Sequence, residues 1–159
     1  MNNKEFFLKV LKDESPRFRK AIDALPEDKH EHKVHGRARE AGNITAQLAV
    51  QWKAISGIMT KGTPDFDPHE MNSQSKEEML QKFDNGIKQL EKDVTAISEE
   101  DWENGKAVMG DMWKTKKYDM AWGFLFDAIH HRGQLSTYLR AMGAKVPSIY
   151  GPSADEKNS

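Results

Sequence analysis

Cysteine is missing altogether. Its absence excludes disulfides, thiolate metal ligands and a cysteine nucleophile. Long apolar runs are missing too: no window approaches the roughly 20 apolar residues of a membrane span. Neither sign of charge is in excess. The 24 Lys and Arg face 25 Asp and Glu, so no basic stripe points to nucleic acid. The N-terminus, Met1-Asn2-Asn3-Lys4-Glu5, lacks the basic segment and apolar run of a signal peptide. There is no Gly-rich phosphate loop, nucleophile elbow, paired Glu-His di-iron motif or internal repeat. These absences predict a soluble, cytoplasmic protein with no nucleic-acid or membrane partner. A length of 159 residues predicts one domain over 1–155, with 156–159 as a frayed tail.

What remains is helical patterning. Phe6, Phe7, Val10, Leu11, Phe18 and Ile22 keep a helical period over Lys4–Leu25, with a kink or break expected at Pro16. Asp28–Gly36 is a polar connection, and its His30, His32 and His35 read as members of a solvated loop. A second helix is predicted over Ala38–Thr60, with Ile44, Leu48, Ile55 and Met59 on an inner stripe that also carries Gln47 and Gln51. Lys61–Gln74, rich in Gly, Pro, Asp and Asn, reads as a long crossover, with Asp65, Asp67, His69 and Glu70 as ordinary loop polarity. Ser75-Lys76-Glu77-Glu78 is a capping box opening a third helix on the seam Leu80, Phe83, Ile87, Leu90, Val94 and Ile97. A short turn begins at Ser98, Glu103–Lys114 is irregular and partly extended, and a last helix runs over Lys116–Met142, stopped at Gly143. The four tryptophans read as core or interface anchors.

The chemistry concentrates on the last helix. Asp127 and His131 stand four residues apart, so both side chains lie on one helix face. Such a pair can share a metal ion or bond to each other as carboxylate and imidazole. His130 points about 100° away. Gln134 and Tyr138 share the face of the pair and are candidates to line a cavity with Gln51. Gly133, costly inside a helix, suggests close helix approach, and Arg132 suggests a salt bridge to a neighbouring helix.

His130-His131-Arg132-Gly133-Gln134-Leu135, then Tyr138-Leu139-Arg140, then Val146–Asp155 with Ile149-Tyr150-Gly151-Pro152, resemble the C-terminal signature of the DinB-like family. The resemblance implies an all-α four-helix bundle in up-up-down-down order, with a long crossover between the second and third helices. It also implies a metal site of three histidines, one on the second helix and two spaced i, i+4 on the last. Here those positions fall on Gln47, Asp127 and His131. Some relatives are transferases that use a metal-bound low-molecular-weight thiol.

Two readings follow. One is a transferase or hydrolase acting on a small molecule, with one divalent ion (Zn, Ni, Mn or Fe) on Gln47, Asp127 and His131. The other is a non-catalytic helical bundle, binding a small molecule or purely structural, in which the three side chains form a metal-free polar layer. A homodimer through helix faces is expected in either case. No catalytic residue can be assigned.

Overall fold

The computed structural model describes residues 1–157. Four long helices form the bundle: α1 (Asn3–Asp23), α2 (Ala41–Lys61), α3 (Lys76–Ala96) and, after the short α4 (Glu99–Asn104), α5 (Lys117–Ala141). The segment that read as irregular and partly extended folds into an antiparallel hairpin of β1 (Lys106–Met109) and β2 (Trp113–Lys116). Short 3-10 turns at Glu27–Lys29 and Pro68–Met71 interrupt the two long connections.

Local signals set the helix ends. Asn2 and Glu5 form a capping box on α1, and Ser75 and Glu78 form another on α3; each satisfies amides that the first turn leaves unpaired. Gly62 ends α2 with φ +71°, and Gly143 follows α5 with φ +77°, a conformation glycine adopts without steric cost. Pro16 sits within α1 without splitting it.

The hydrogen bonds that cross the bundle fix helix direction. Lys4 at the start of α1 reaches the Ile97 carbonyl beyond the end of α3, and Lys76 at the start of α3 reaches the Asp23 carbonyl. These two helices are antiparallel. Lys117 at the start of α5 reaches the Met59 carbonyl near the end of α2, so α2 and α5 are antiparallel too. Asn3 meets Trp122, and Glu14 meets Arg132, which sets α1 parallel to α5. The order is therefore up-down-down-up, which corrects the up-up-down-down order. The crossover joins two parallel neighbours and must run back along α2, roughly 31 Å for 21 residues. It does so in contact with α2: a Cβ on Gly57 would lie 2.6 Å from the Asp65 amide nitrogen.

The core is apolar and aromatic. Trp52 meets Phe18 and Phe83 edge-on between α1, α2 and α3. Trp102 and Trp122 both donate to Asn3 Oδ1, binding α4 and α5 to the start of α1. The hairpin lays Trp113 over Gly123, where a Cβ would lie 2.3 Å from the indole. Among the described residues no helix is long and apolar enough to cross a membrane.

The C-terminal segment is strapped across α1 and α5. Arg17 donates to the Ile149 carbonyl, Arg140 pairs with Asp155, and Asp155 accepts the Val146 amide. Glu156 was expected in a frayed tail. It accepts from Lys20 and from the Ser148 amide, so the ordered strap extends at least to that residue. Asn158 and Ser159 lie outside the described residues.

Candidate functional site

Gln47 on α2 meets Asp127 and His131 on α5. Gln47 Nε2 donates to Asp127 Oδ2 at 3.2 Å. Asp127 Oδ1 lies 3.5 Å from His131 Nε2. His131 Nδ1 lies 3.0 Å from Gln134 Oε1. An amide oxygen only accepts, so Nδ1 carries a proton and Nε2 faces the carboxylate. Antiparallel packing of α2 on α5 produces this meeting, as does the i, i+4 spacing of the Asp-His pair.

The group lies at the rim of the bundle, not inside it. The Asp127 side chain is 47% exposed and that of His131 16%, and Gln47 is half-buried. The inward position expected for Gln47 is thus corrected: its amide reaches along the α2–α5 groove toward solvent. Phe126, next to Asp127 on α5, is 60% exposed. His130 faces solvent beside His131.

Arg39 completes the group, and the sequence reading missed it. It precedes α2, outside any helical register. Its Nη1 donates to Gln47 Oε1 at 2.5 Å and its Nη2 to the Asn43 carbonyl. The result is a run of polar contacts: Arg39 donates to Gln47, Gln47 donates to Asp127, and Asp127 lies beside His131, whose other ring nitrogen meets Gln134. The cavity candidates occupy other roles. Tyr138 is buried and its hydroxyl donates to the Arg39 carbonyl. Gln51 is buried one turn beyond Gln47, with Nε2 on the Phe124 carbonyl and Oε1 without a partner. Gln134 orients His131.

The other sequence candidates resolve into structural roles. His30 bonds Ser73 and lies near Glu27, joining the first connection to the crossover, so that loop is not simply solvated. His32 packs edge-on to Tyr138. Gly133 is exposed with open space where a Cβ would stand, so it serves no close helix approach. Arg132 turns into the bundle and pairs with Glu14. The sequence did carry a signal for Glu14: it falls on the stripe Phe7, Leu11, Phe18, where a carboxylate requires a buried partner.

A model of the DinB family matches residues 1–158. The chain belongs to the DinB family. Its fold resembles that of a DinB-like protein from Bacillus cereus ATCC 10987, with a TM-score of 0.77 and 14% identity over 92% of this chain and 97% of that one. A DinB-like protein from Bacillus subtilis gives 0.69 and 11% over 90% and 96%. A mycothiol-dependent maleylpyruvate isomerase gives 0.62 and 12% over 92% of this chain and 65% of the isomerase. Identities this low carry the fold alone. A search of curated proteins found no significant match.

The divalent ion implied by the family can be tested against these donors. Catalytic sites of this type use three protein ligands. Asp127 and His131 present free donor atoms to a common point, but the one ligating atom of Gln47, Oε1, is held by Arg39, and a guanidinium beside a dication is repulsive. Among the described residues no group of three or more His, Asp or Glu is placed to hold a metal ion. The donor set does not fit the three-ligand centre.

Proposed function

We propose that this DinB-family protein is a non-catalytic, metal-free helical bundle in which Arg39, Gln47, Asp127, His131 and Gln134 form a polar clasp between α2 and α5. The observation that carries this reading is the orientation of Gln47, whose oxygen accepts from Arg39 while its nitrogen donates to Asp127. The amide thereby links a cation to an anion, as a structural bridge does. Elemental analysis of untagged protein, with calorimetric titration of Zn, Ni, Mn and Fe, tests it. Absence of bound metal and of saturable binding is the expected result; near-stoichiometric metal would overturn the reading.

A specific observation favours the second reading, a divalent-metal-dependent transferase or hydrolase acting on a small molecule. Metal-ligating histidines usually donate from the ring nitrogen that does not bind metal, and His131 Nδ1 is held in that way by Gln134. Asp127 and His131 would be its ligands. The same titration decides between the two.

The protein is further read as a homodimer. Phe6 and Phe126 are exposed on either side of Trp122, with ring centroids 5.6 and 5.7 Å from the indole. The tryptophans themselves are buried or half-buried, so this phenylalanine-flanked stack on α1 and α5 is the motive for association. A self-complementary face of this kind suits a two-fold interface. Light scattering that gives a monomer mass at high concentration would remove the dimer, and Phe126→Glu is expected to shift a dimer to monomer.

A further inference from the structure

On α2, Val50, Lys53 and Ser56 recur at i, i+3 and i+6, forming a stripe away from the polar clasp. With Glu70 of the crossover and Lys82, Asn85, Gly86 and Gln89 of α3, they line a cleft of about 270 Å³. Drug-sized ligands occupy roughly 300–1,000 Å³, so this cleft is sized for a smaller molecule. Its walls are mostly apolar. Gly86 lets α3 pass close to α2 at the cleft: a Cβ there would lie 3.3 Å from Trp52 Cβ.

Two features of the cleft are unexplained by packing. Ser56 is 7% exposed, and its hydroxyl is buried with no hydrogen-bond partner. Buried hydroxyls are nearly always paired, so this one is a donor in want of an acceptor. The second feature is a carboxylate between two lysines. Glu70 lies 3.1 Å from Lys53 Nζ and 3.9 Å from Lys82 Nζ. The other acidic groups of the crossover are engaged elsewhere, Asp65 with Lys61 and Asp67 with the His69 amide. The crossover's own side chain thus displays what the lysine pair holds. Glu70 is partly exposed, and an ion pair of that kind is weak enough to exchange.

We propose that this cleft binds a small amphiphilic carboxylate, whose headgroup takes the place of Glu70 on Lys53 and Lys82 and accepts from Ser56, and whose apolar body lies along Val50 and Gly86. This goes beyond the reading of the α2–α5 clasp and does not depend on whether that clasp holds metal. Exchange of one carboxylate for another keeps the lysines paired, and the ligand's apolar body supplies the net gain.

The test is a backbone-amide NMR titration of the full chain with sodium octanoate, with octanol as the uncharged control. Saturable shifts centred on Val50, Ser56, Asn85 and Gly86 are expected. Replacing both lysines, Lys53→Met with Lys82→Met, should weaken binding by about tenfold, the scale two partly exposed charges supply. Glu70→Gln should tighten it, because the internal competitor loses its charge while every cleft donor stays in place. That variant keeps the test decisive if the double lysine variant fails to fold. No shifts at millimolar octanoate, shifts spread over other surfaces, equal binding of octanol, or Glu70→Gln binding no more tightly would each overturn the proposal.

Discussion

Arg132 and Glu14 form an ion pair inside the bundle, with Nη1 2.5 Å from Oε2 and the residues only 2% and 6% exposed. The pair has company. The Tyr150 hydroxyl bonds both partners, Arg17 holds the second Glu14 oxygen, and the Arg132 guanidinium stacks 4.5 Å from the Phe18 ring centroid. A charge taken this far from water is tolerated only with such a full set of partners.

Removing one partner strands the other. Glu14→Ala should destabilise the fold by about 3–5 kcal/mol, because it leaves the Arg132 guanidinium buried without a countercharge, and Arg132→Ala somewhat less, because Glu14 keeps Arg17 and Tyr150. Replacing both with methionine should cost less than either single change. Urea unfolding of the three variants measures this, and simple additivity of the two single losses would contradict the buried-pair account.

The buried pair also shows what a sequence does and does not disclose. The Ser75–Glu78 capping box, the α3 seam and the Gly143 stop depend on neighbours within a few residues, and the structure contains all three, with Met79 in place of the half-buried Leu80 at the start of the seam. The Asp127–His131 spacing was legible for the same reason. Helix direction was not, because it is written in contacts such as Lys4 with Ile97 and Lys117 with Met59, which join distant segments. Arg39 was invisible to periodicity because it lies in a connection, yet it determines which way the Gln47 amide faces. The hairpin escaped the pattern because each strand has four residues, too few for alternation to declare itself.

At the clasp, Asp127→Asn should leave metal content unchanged and cost no more than about 1 kcal/mol, the range for an exposed pair. His131→Ala should behave similarly, and Arg39→Ala should free Gln47 Oε1. Thermal melts and metal analysis of the same three variants check the order. Loss of bound metal in Asp127→Asn or His131→Ala would instead establish the two residues as ligands.

The strap should respond to acid. The Val146 amide, with Arg140, holds the Asp155 carboxyl below its ordinary range, and the Ser148 amide, with Lys20, does the same for Glu156. For groups whose folded pKa is depressed, the stabilisation is complete above the ordinary carboxylate value. It is lost as pH falls through the depressed one. Protection of the Val146 and Ser148 amides, relative to their intrinsic exchange rates, should therefore fall at acid pH before the bundle unfolds, and Asp155→Asn should show the same loss at Val146 at neutral pH. Exchange at both amides that changes only with global unfolding would separate the strap from these carboxylates.

Two glycines should give opposite results to one substitution. At Gly57 a Cβ would lie 2.6 Å from the Asp65 nitrogen and 2.7 Å from the Thr63 oxygen. Both are backbone atoms that no rotamer change can move. Gly57→Ala must therefore push the crossover off α2, at about 1–3 kcal/mol. Gly133 lies within α5, exposed, with nothing within 4 Å of its would-be Cβ. There alanine meets no obstacle and restricts the unfolded chain, so Gly133→Ala should stabilise by roughly 0.4–1 kcal/mol. Thermal or urea unfolding of the two variants side by side reads both signs. If Gly133→Ala destabilises the isolated monomer, the account of its packing fails. If it leaves the monomer more stable but weakens self-association, then the open space over Gly133 is where a second molecule rests, and the dimer face extends along α5 from Phe126 to Gly133, about two turns apart on one side of the helix.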